Sequence, residues 1–185
     1  MTAPDGQTRR LRRAAFLDRD GVLNVDHGFV CEPRDFEWVA GAREAIRYLN
    51  DAGYLTVVVT NQSGIGRGYY TEQQFRALHR WIDRCLRESG AHIDAVYFCP
   101  HLPDAALPMY RKECECRKPR PGMLHQAIRE LDIDPAKSFL IGDKARDCEA
   151  ASAAEVASHL FTDSNLLDFV RGIVAPETPD GLQRA

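Results

Sequence analysis

Ala14-Ala15-Phe16-Leu17-Asp18-Arg19-Asp20-Gly21 is the stretch on which the fold turns. Ala14 to Leu17 is a short apolar run that ends at an acid, and Asp20-Gly21 is a turn-prone pair. The segment therefore reads as a buried strand that delivers acids into a loop. Tyr54-Leu55-Thr56-Val57-Val58-Val59 repeats the pattern. It is too β-branched for another helical turn and reads as a strand buried on both faces, ending at Thr60-Asn61. Ile93 to Phe98 gives a third strand, Ser138 to Ile141 a fourth that ends at Gly142-Asp143, and the stretch near Val156 to Leu160 a short fifth.

Helical spacing fills the gaps between these strands. Ala42, Ala45, Ile46 and Leu49 recur on one face, and Gly53 is placed to end that helix. Thr71 with Gln74 forms a capping box that opens a helix to about Glu88. Pro121 starts another through about Leu131. An alanine-rich helix follows Asp143 to about Glu155, and a weak one lies near Leu166 to Val170. Gly64, Gly66 and Gly68 predict a flexible loop between the second strand and its helix. Strands alternating with helices give an α/β fold, a parallel sheet with helices on both faces, and such sheets bind ligands at the carboxyl ends of their strands.

A chain of 185 residues with 44% hydrophobic and 28% charged residues has the size and composition of one globular domain. The net charge of -3 supplies no field to attract nucleic acid or an anionic membrane, and the run Arg9 to Arg13 reads as a solvated lead-in. No apolar run approaches the roughly 20 residues of a membrane span, and no signal-peptide core is present. The sequence thus predicts a cytoplasmic monomer with neither nucleic-acid nor membrane partners. Residues 1–13 form a polar leader, 14–175 a single domain and 176–185 a frayed tail.

Asp18 and Asp20 project to the same side if the backbone stays extended, and a divalent cation would relieve their repulsion. Magnesium suits such an oxygen-rich pair, and a carboxylate can also serve as a nucleophile or as an acid and base. Alone, the pair reads as readily as an Asx turn. It is joined, however, by Thr60 and Asn61 at the next strand end, by the cation Lys118, and by the third carboxylate, Asp143. A hydroxyl, an amide and an ammonium that converge on one sheet edge suit a phosphoryl group.

The segments Asp18-Arg19-Asp20-Gly21-Val22-Leu23-Asn24, Val59-Thr60-Asn61-Gln62-Ser63-Gly64-Ile65-Gly66-Arg67-Gly68 and Gly142-Asp143-Lys144 resemble the haloacid dehalogenase-like phosphatases. Within that superfamily they look like the branch that removes the C7 phosphate of a heptose 1,7-bisphosphate. The resemblance runs from about Ala15 to about Ala154 and implies a three-layer Rossmann-like fold without a large cap. It also implies Asp18 as nucleophile, Asp20 as acid and base, and Thr60 and Lys118 as phosphoryl stabilisers. Magnesium would be held by the Asp18 side chain, the Asp20 main-chain carbonyl and Asp143, which leaves the Asp20 carboxyl free for the proton. Asn24, His27, Asn61, Gln62, Ser63, Arg67 and Arg117 are the candidates for contact with a sugar bisphosphate, Arg117 because its fork suits a second phosphate.

Cys99, His101, Cys114 and Cys116 form two close pairs joined by a twelve-residue loop. Three sulfurs and one imidazole satisfy a tetrahedral structural zinc that would order the loop 99–116. A disulfide is disfavoured in a reducing compartment. The resembled family carries the same cluster. Cys31, Cys85 and Cys148 read as simple thiols, and His79, His92, His125 and His159 as structural or surface residues. Histidinol-phosphate phosphatase, with similar acid and zinc motifs, is the nearest rival. It typically has a shorter zinc loop. A zinc-stabilised binding module is the reading from outside enzymology, and it would need a basic face that the net charge does not favour.

Overall fold

The computed structural model describes residues 11–174. Most of the expected leader, and the expected tail from residue 176, lie outside the described residues. Five strands form one all-parallel sheet: β1 Ala14–Leu17, β2 Leu55–Asn61, β3 Ala95–Cys99, β4 Phe139–Gly142 and β5 Ala157–Leu160. Their order is β3-β2-β1-β4-β5. The helices are α1 Ala42–Asp51, α2 Ser63–Gly66, α3 Glu72–Glu88, α4 Gly122–Glu130, α5 Ala145–Ala153 and α6 Leu166–Ile173. The fifth strand forms as expected.

Alternation along the strands builds the layers. Ala15, Leu17, Val58 and Ile141 point to one face, where Ala45, Ile46 and Leu49 of α1, Leu78, Ile82 and Leu86 of α3, and Val170 of α6 cover them. Ala14, Phe16, Val57, Val59 and Leu140 point to the other, against Met123, Leu124 and Ala127 of α4 and Ala150 and Ala151 of α5. Burial on both faces is why β1, β2 and β4 read as nearly continuous apolar runs. Truncating Phe16, which is fully buried, to alanine would cost about 3–5 kcal/mol.

The chain lays down β1, β2 and β3 in one direction and then returns to place β4 on the other side of β1. That reversal opens a crevice beyond the carboxyl end of β1, where parallel α/β sheets place their ligands. Asp18 follows β1 and Asp143 follows β4, so the two acids flank this point. Among the described residues no large cap domain stands between the strands: the longest helix following one of them is α3, and Pro100 to Pro121 is a loop with one short 3-10 turn. Among the described residues, no helix is long and apolar enough to cross a membrane.

The glycine-rich segment after β2 departs from expectation. Residues Ser63–Gly66 form the short helix α2, and Gly64 and Gly66 are buried. A methyl at Gly64 would collide with the Tyr70 ring, and one at Gly66 would lie 2.6 Å from the Pro100 carbonyl oxygen. These glycines permit close packing of α2 against Tyr70 and the cysteine-rich loop; they do not confer flexibility.

Candidate active site

The loop after β1 is a tight turn. The main-chain N–H groups of Val22, Leu23 and Asn24 all donate to the Arg19 carbonyl, and Gly21 N donates to Asn24 O at 2.7 Å. Gly21 adopts φ +87°, and a methyl there would strike the Asp143 carboxylate. Only glycine therefore lets the turn approach the loop after β4 so closely.

Asp18 is 4% exposed. Its Oδ1 accepts from Arg19 N at 2.7 Å, and its Oδ2 lies 2.8 Å from Lys118 Nζ. Burial pushes the Asp18 carboxyl up, and the Lys118 ammonium pulls against it. Lys118 is itself buried. It donates to the Val59 carbonyl at 2.8 Å and lies 2.7 Å from Asp147 Oδ1. Lys118, expected to stabilise the phosphoryl group, is thus a fully enclosed cation. Asn61, expected at the phosphoryl group, uses its amide on Lys118 at both ends: Nδ2 donates to Lys118 O at 3.0 Å, and Oδ1 accepts from Lys118 N at 3.1 Å.

The Asp20 carboxylate is held by donors on every side. Arg19 NH2 reaches both its oxygens, at 2.8 and 3.0 Å, Asn24 Nδ2 donates to Oδ1 at 3.1 Å, and Gln62 Nε2 donates to Oδ2 at 2.9 Å. Gln62 Nε2 also donates to Thr60 Oγ1 at 2.9 Å. Asp18, Asp20, Thr60, Asn61, Gln62 and Ser63 line one cleft of about 200 Å³, together with Asp26, Gly28, Phe29, Tyr70 and Arg146.

The other expected contacts fall elsewhere. Asn24 is buried and touches Asp20 rather than the open cleft. His27 pairs with Glu37 at 2.8 Å, with half its side chain exposed, and is not among the residues lining the cleft. Arg67 does not line it either. Arg117 donates to the His101 carbonyl at 3.3 Å and faces a neighbouring cleft with Lys112, Lys118 and Arg120.

Asp147, Arg146 and Tyr70 join the site from outside the sequence motifs. Asp147 is fully buried in the first turn of α5, four residues beyond Asp143, where its Oδ2 also accepts from Lys144 N at 3.0 Å. An acid at that offset, one turn into a helix that follows a strand end, was the available signal.

The acids fit a divalent cation. Carboxylate oxygens of Asp18, Asp143 and Asp147 lie within 4.8 Å of one another. Asp143 Oδ1 is buried and has no hydrogen-bond partner, a costly state for an ionised oxygen unless a cation meets it. Hard oxygen donors of this kind suit magnesium.

The sulfur cluster also assembles. Cys116 Sγ lies 3.0 Å from Cys99 Sγ and 3.3 Å from Cys114 Sγ, and His101 Nδ1 lies 3.3 Å from Cys116 Sγ. The three cysteines are free of disulfides, and tetrahedral zinc would set its sulfur ligands about 3.7 Å apart. Hydrogen bonding from Cys99 pulls the Cys116 thiol down to about 5, toward the thiolate that metals bind.

A family model described as HAD-hyrolase-like matches residues 115–165. The D-glycero-beta-D-manno-heptose-1,7-bisphosphate 7-phosphatase of Haemophilus ducreyi is 51% identical over 81% of this chain and 82% of its own length. The protein of the same name from Pasteurella multocida is 44% identical over 95% of this chain and 90% of its own. Among solved structures, the D,D-heptose 1,7-bisphosphate phosphatase of B. bronchiseptica, complexed with magnesium and phosphate, superposes with a TM-score of 0.74. It is 35% identical, over 89% of each chain. A HAD-like phosphatase from Mesorhizobium loti gives 0.77 at 38% identity, covering 81% of this chain and 72% of that one.

Proposed function

Because the chain belongs to the heptose-1,7-bisphosphate 7-phosphatase family of haloacid dehalogenase-like hydrolases, we propose that it hydrolyses the C7 phosphate of D-glycero-β-D-manno-heptose 1,7-bisphosphate. The observation that carries the chemistry is the enclosed contact between Asp18 and Lys118, at the switch point of the sheet. An acid held there beside a fixed cation is placed to attack phosphorus while the charge of the phosphoryl group is offset.

Asp18 attacks the phosphorus in line, and Asp20 gives a proton to the departing sugar oxygen. The aspartyl-phosphate so formed is then hydrolysed by a water from which Asp20 takes the proton. Lys118 neutralises charge on the transferring group throughout, and Thr60 offers its hydroxyl to a phosphoryl oxygen. Asn61 keeps Lys118 in place through the main chain. Magnesium, held by the carboxylates of Asp18 and Asp143 and by the Asp20 carbonyl, would supply Lewis-acid charge stabilisation. Zinc on Cys99, His101, Cys114 and Cys116 would hold the loop that carries Arg117. That arginine then stands ready for the phosphate at the far end of the substrate, and residues 14–175 act as one catalytic unit.

Turnover of the two anomers of the heptose bisphosphate and of histidinol phosphate, measured side by side, tests this reading. The β anomer should be hydrolysed with the highest kcat/KM. Faster turnover of histidinol phosphate would overturn the substrate assignment. Asp18→Asn should abolish turnover while the protein still folds and unfolds cooperatively, and an active Asp18→Asn enzyme would overturn the nucleophile.

A further inference from the structure

One side chain on the cleft wall has no place in the chemistry above. Tyr70 is 4% exposed, and burial, first of all, pushes its phenol up, so the hydroxyl keeps its proton. That proton is given to Gln62 Oε1 at 2.6 Å. The bond matters because a glutamine amide has a donor end and an acceptor end that differ little in shape. Thr60 does not decide between them, since a hydroxyl accepts as readily as it donates. Tyr70 does decide: its donation fixes Oε1 on the phenol side and turns Nε2 toward Asp20 Oδ2 and Thr60 Oγ1, each at 2.9 Å. With the amide reversed, its oxygen would face the Asp20 carboxylate and repel it.

The local sequence is shaped for this contact. Gly64 has no side chain where the Tyr70 ring closes over α2, and Ile65 and Phe75 pack beside the ring. The phenol thus sits in a built recess with its hydroxyl directed at one acceptor.

We propose that Tyr70 is a positioning residue, which sets the orientation of the Gln62 amide and through it holds the Asp20 carboxyl where the sugar oxygen departs. The inference rests on the assignment of Asp20 as acid and base. Tyr70 touches neither phosphorus nor metal in this scheme; its effect passes through Gln62.

Tyr70→Phe removes only the hydroxyl and keeps the ring packing. Single-turnover hydrolysis of the heptose bisphosphate should slow by about tenfold, a fraction of what a general acid contributes, with KM changed by less than about twofold. With 4-nitrophenyl phosphate, whose leaving group departs without needing a proton, the loss in the same phosphoryl-transfer step should shrink to less than about threefold. A merely structural role would slow both substrates alike. Asp20→Asn is the reference. If Asp20→Asn turns over normally, the acid assignment itself fails. If Asp20→Asn is inactive while Tyr70→Phe keeps the full rate on the bisphosphate, or loses equally on both substrates, the role of Tyr70 is overturned and that of Asp20 stands.

Discussion

Lys118 and Asp147 meet in the interior, ammonium to carboxylate at 2.7 Å, with neither side chain exposed. The same ammonium reaches Asp18 Oδ2 at 2.8 Å, so Asp147 fixes from behind the cation that faces the proposed nucleophile. A buried cation left with one partner fewer is costly and mobile. Asp147→Asn keeps the shape and removes the charge. We expect kcat to fall by about a hundredfold, of the order seen when a preorganised electrostatic contact is lost, with a lowered unfolding midpoint. Steady-state kinetics at saturating magnesium check this, and an unchanged kcat would show that Lys118 needs no such support.

Gly21 offers a test of the metal ligands that leaves every carboxylate in the chain. Its φ of +87° disfavours any side chain, and a methyl would occupy space held by Asp143. Gly21→Ala should displace that carboxylate and raise the magnesium concentration needed for half-maximal activity by about tenfold or more. A magnesium titration reads the shift. A superimposable titration curve would mean that Asp143 is not a ligand.

What the sequence disclosed and what it hid follow from the range of the forces involved. The run ending at Asp18 and the Thr71–Gln74 capping box are local, and both stand as expected: Thr71 Oγ1 accepts from Gln74 N at 3.2 Å, and Gln74 Oε1 accepts from Thr71 N at 2.9 Å. Arg19 is different. It sits between two acids and is nonetheless fully buried, reaching Asp20 and the Val30 carbonyl. No local pattern distinguishes such an arginine from a solvated one. Asp147 was hidden because its partner, Lys118, is brought to it only when β4 takes its place beside β1. Gly64 and Gly66 look flexible in sequence because the groups that require them, Tyr70 and the Pro100 carbonyl, are tertiary neighbours. His27 is close to the acid loop in sequence, but its side chain pairs with Glu37.

The sulfur cluster predicts a metal dependence separate from that of magnesium. One zinc per chain should be found by elemental analysis, and Cys114→Ser should lose it. Because the loop it orders has few large apolar residues, the unfolding midpoint should fall by about 5–10 °C. Thiolates bind zinc and protons compete for them, so retention of the metal should weaken as pH falls. A Cys114→Ser protein with unaltered zinc content and midpoint would refute the site.

His79 gives the fold a sensitivity to acid. Both ring nitrogens are buried without a partner, and the ring packs against Phe75 at 4.4 Å. Burial first, and then the Arg19 charge, lowers its pKa from 6.5 to about 3. Below about 6.5 the unfolded chain takes up a proton on this residue, and the folded chain does not until about 3. Stability is therefore present above 6.5 and is lost as pH falls through that window. The full shift would correspond to several kcal/mol, and relaxation of the site makes about 2 kcal/mol a sounder expectation at pH 4.5. His79→Leu removes both the titration and two unpaired polar atoms. At pH 8 it should stabilise the protein by about 1 kcal/mol, from relief of the unpaired atoms alone. At pH 4.5 the advantage should widen to about 3 kcal/mol, the sum of the two effects. Urea unfolding of both proteins at the two pH values measures the gap, and a gap that stays constant or narrows in acid would mean that His79 is already paired or hydrated in the folded state.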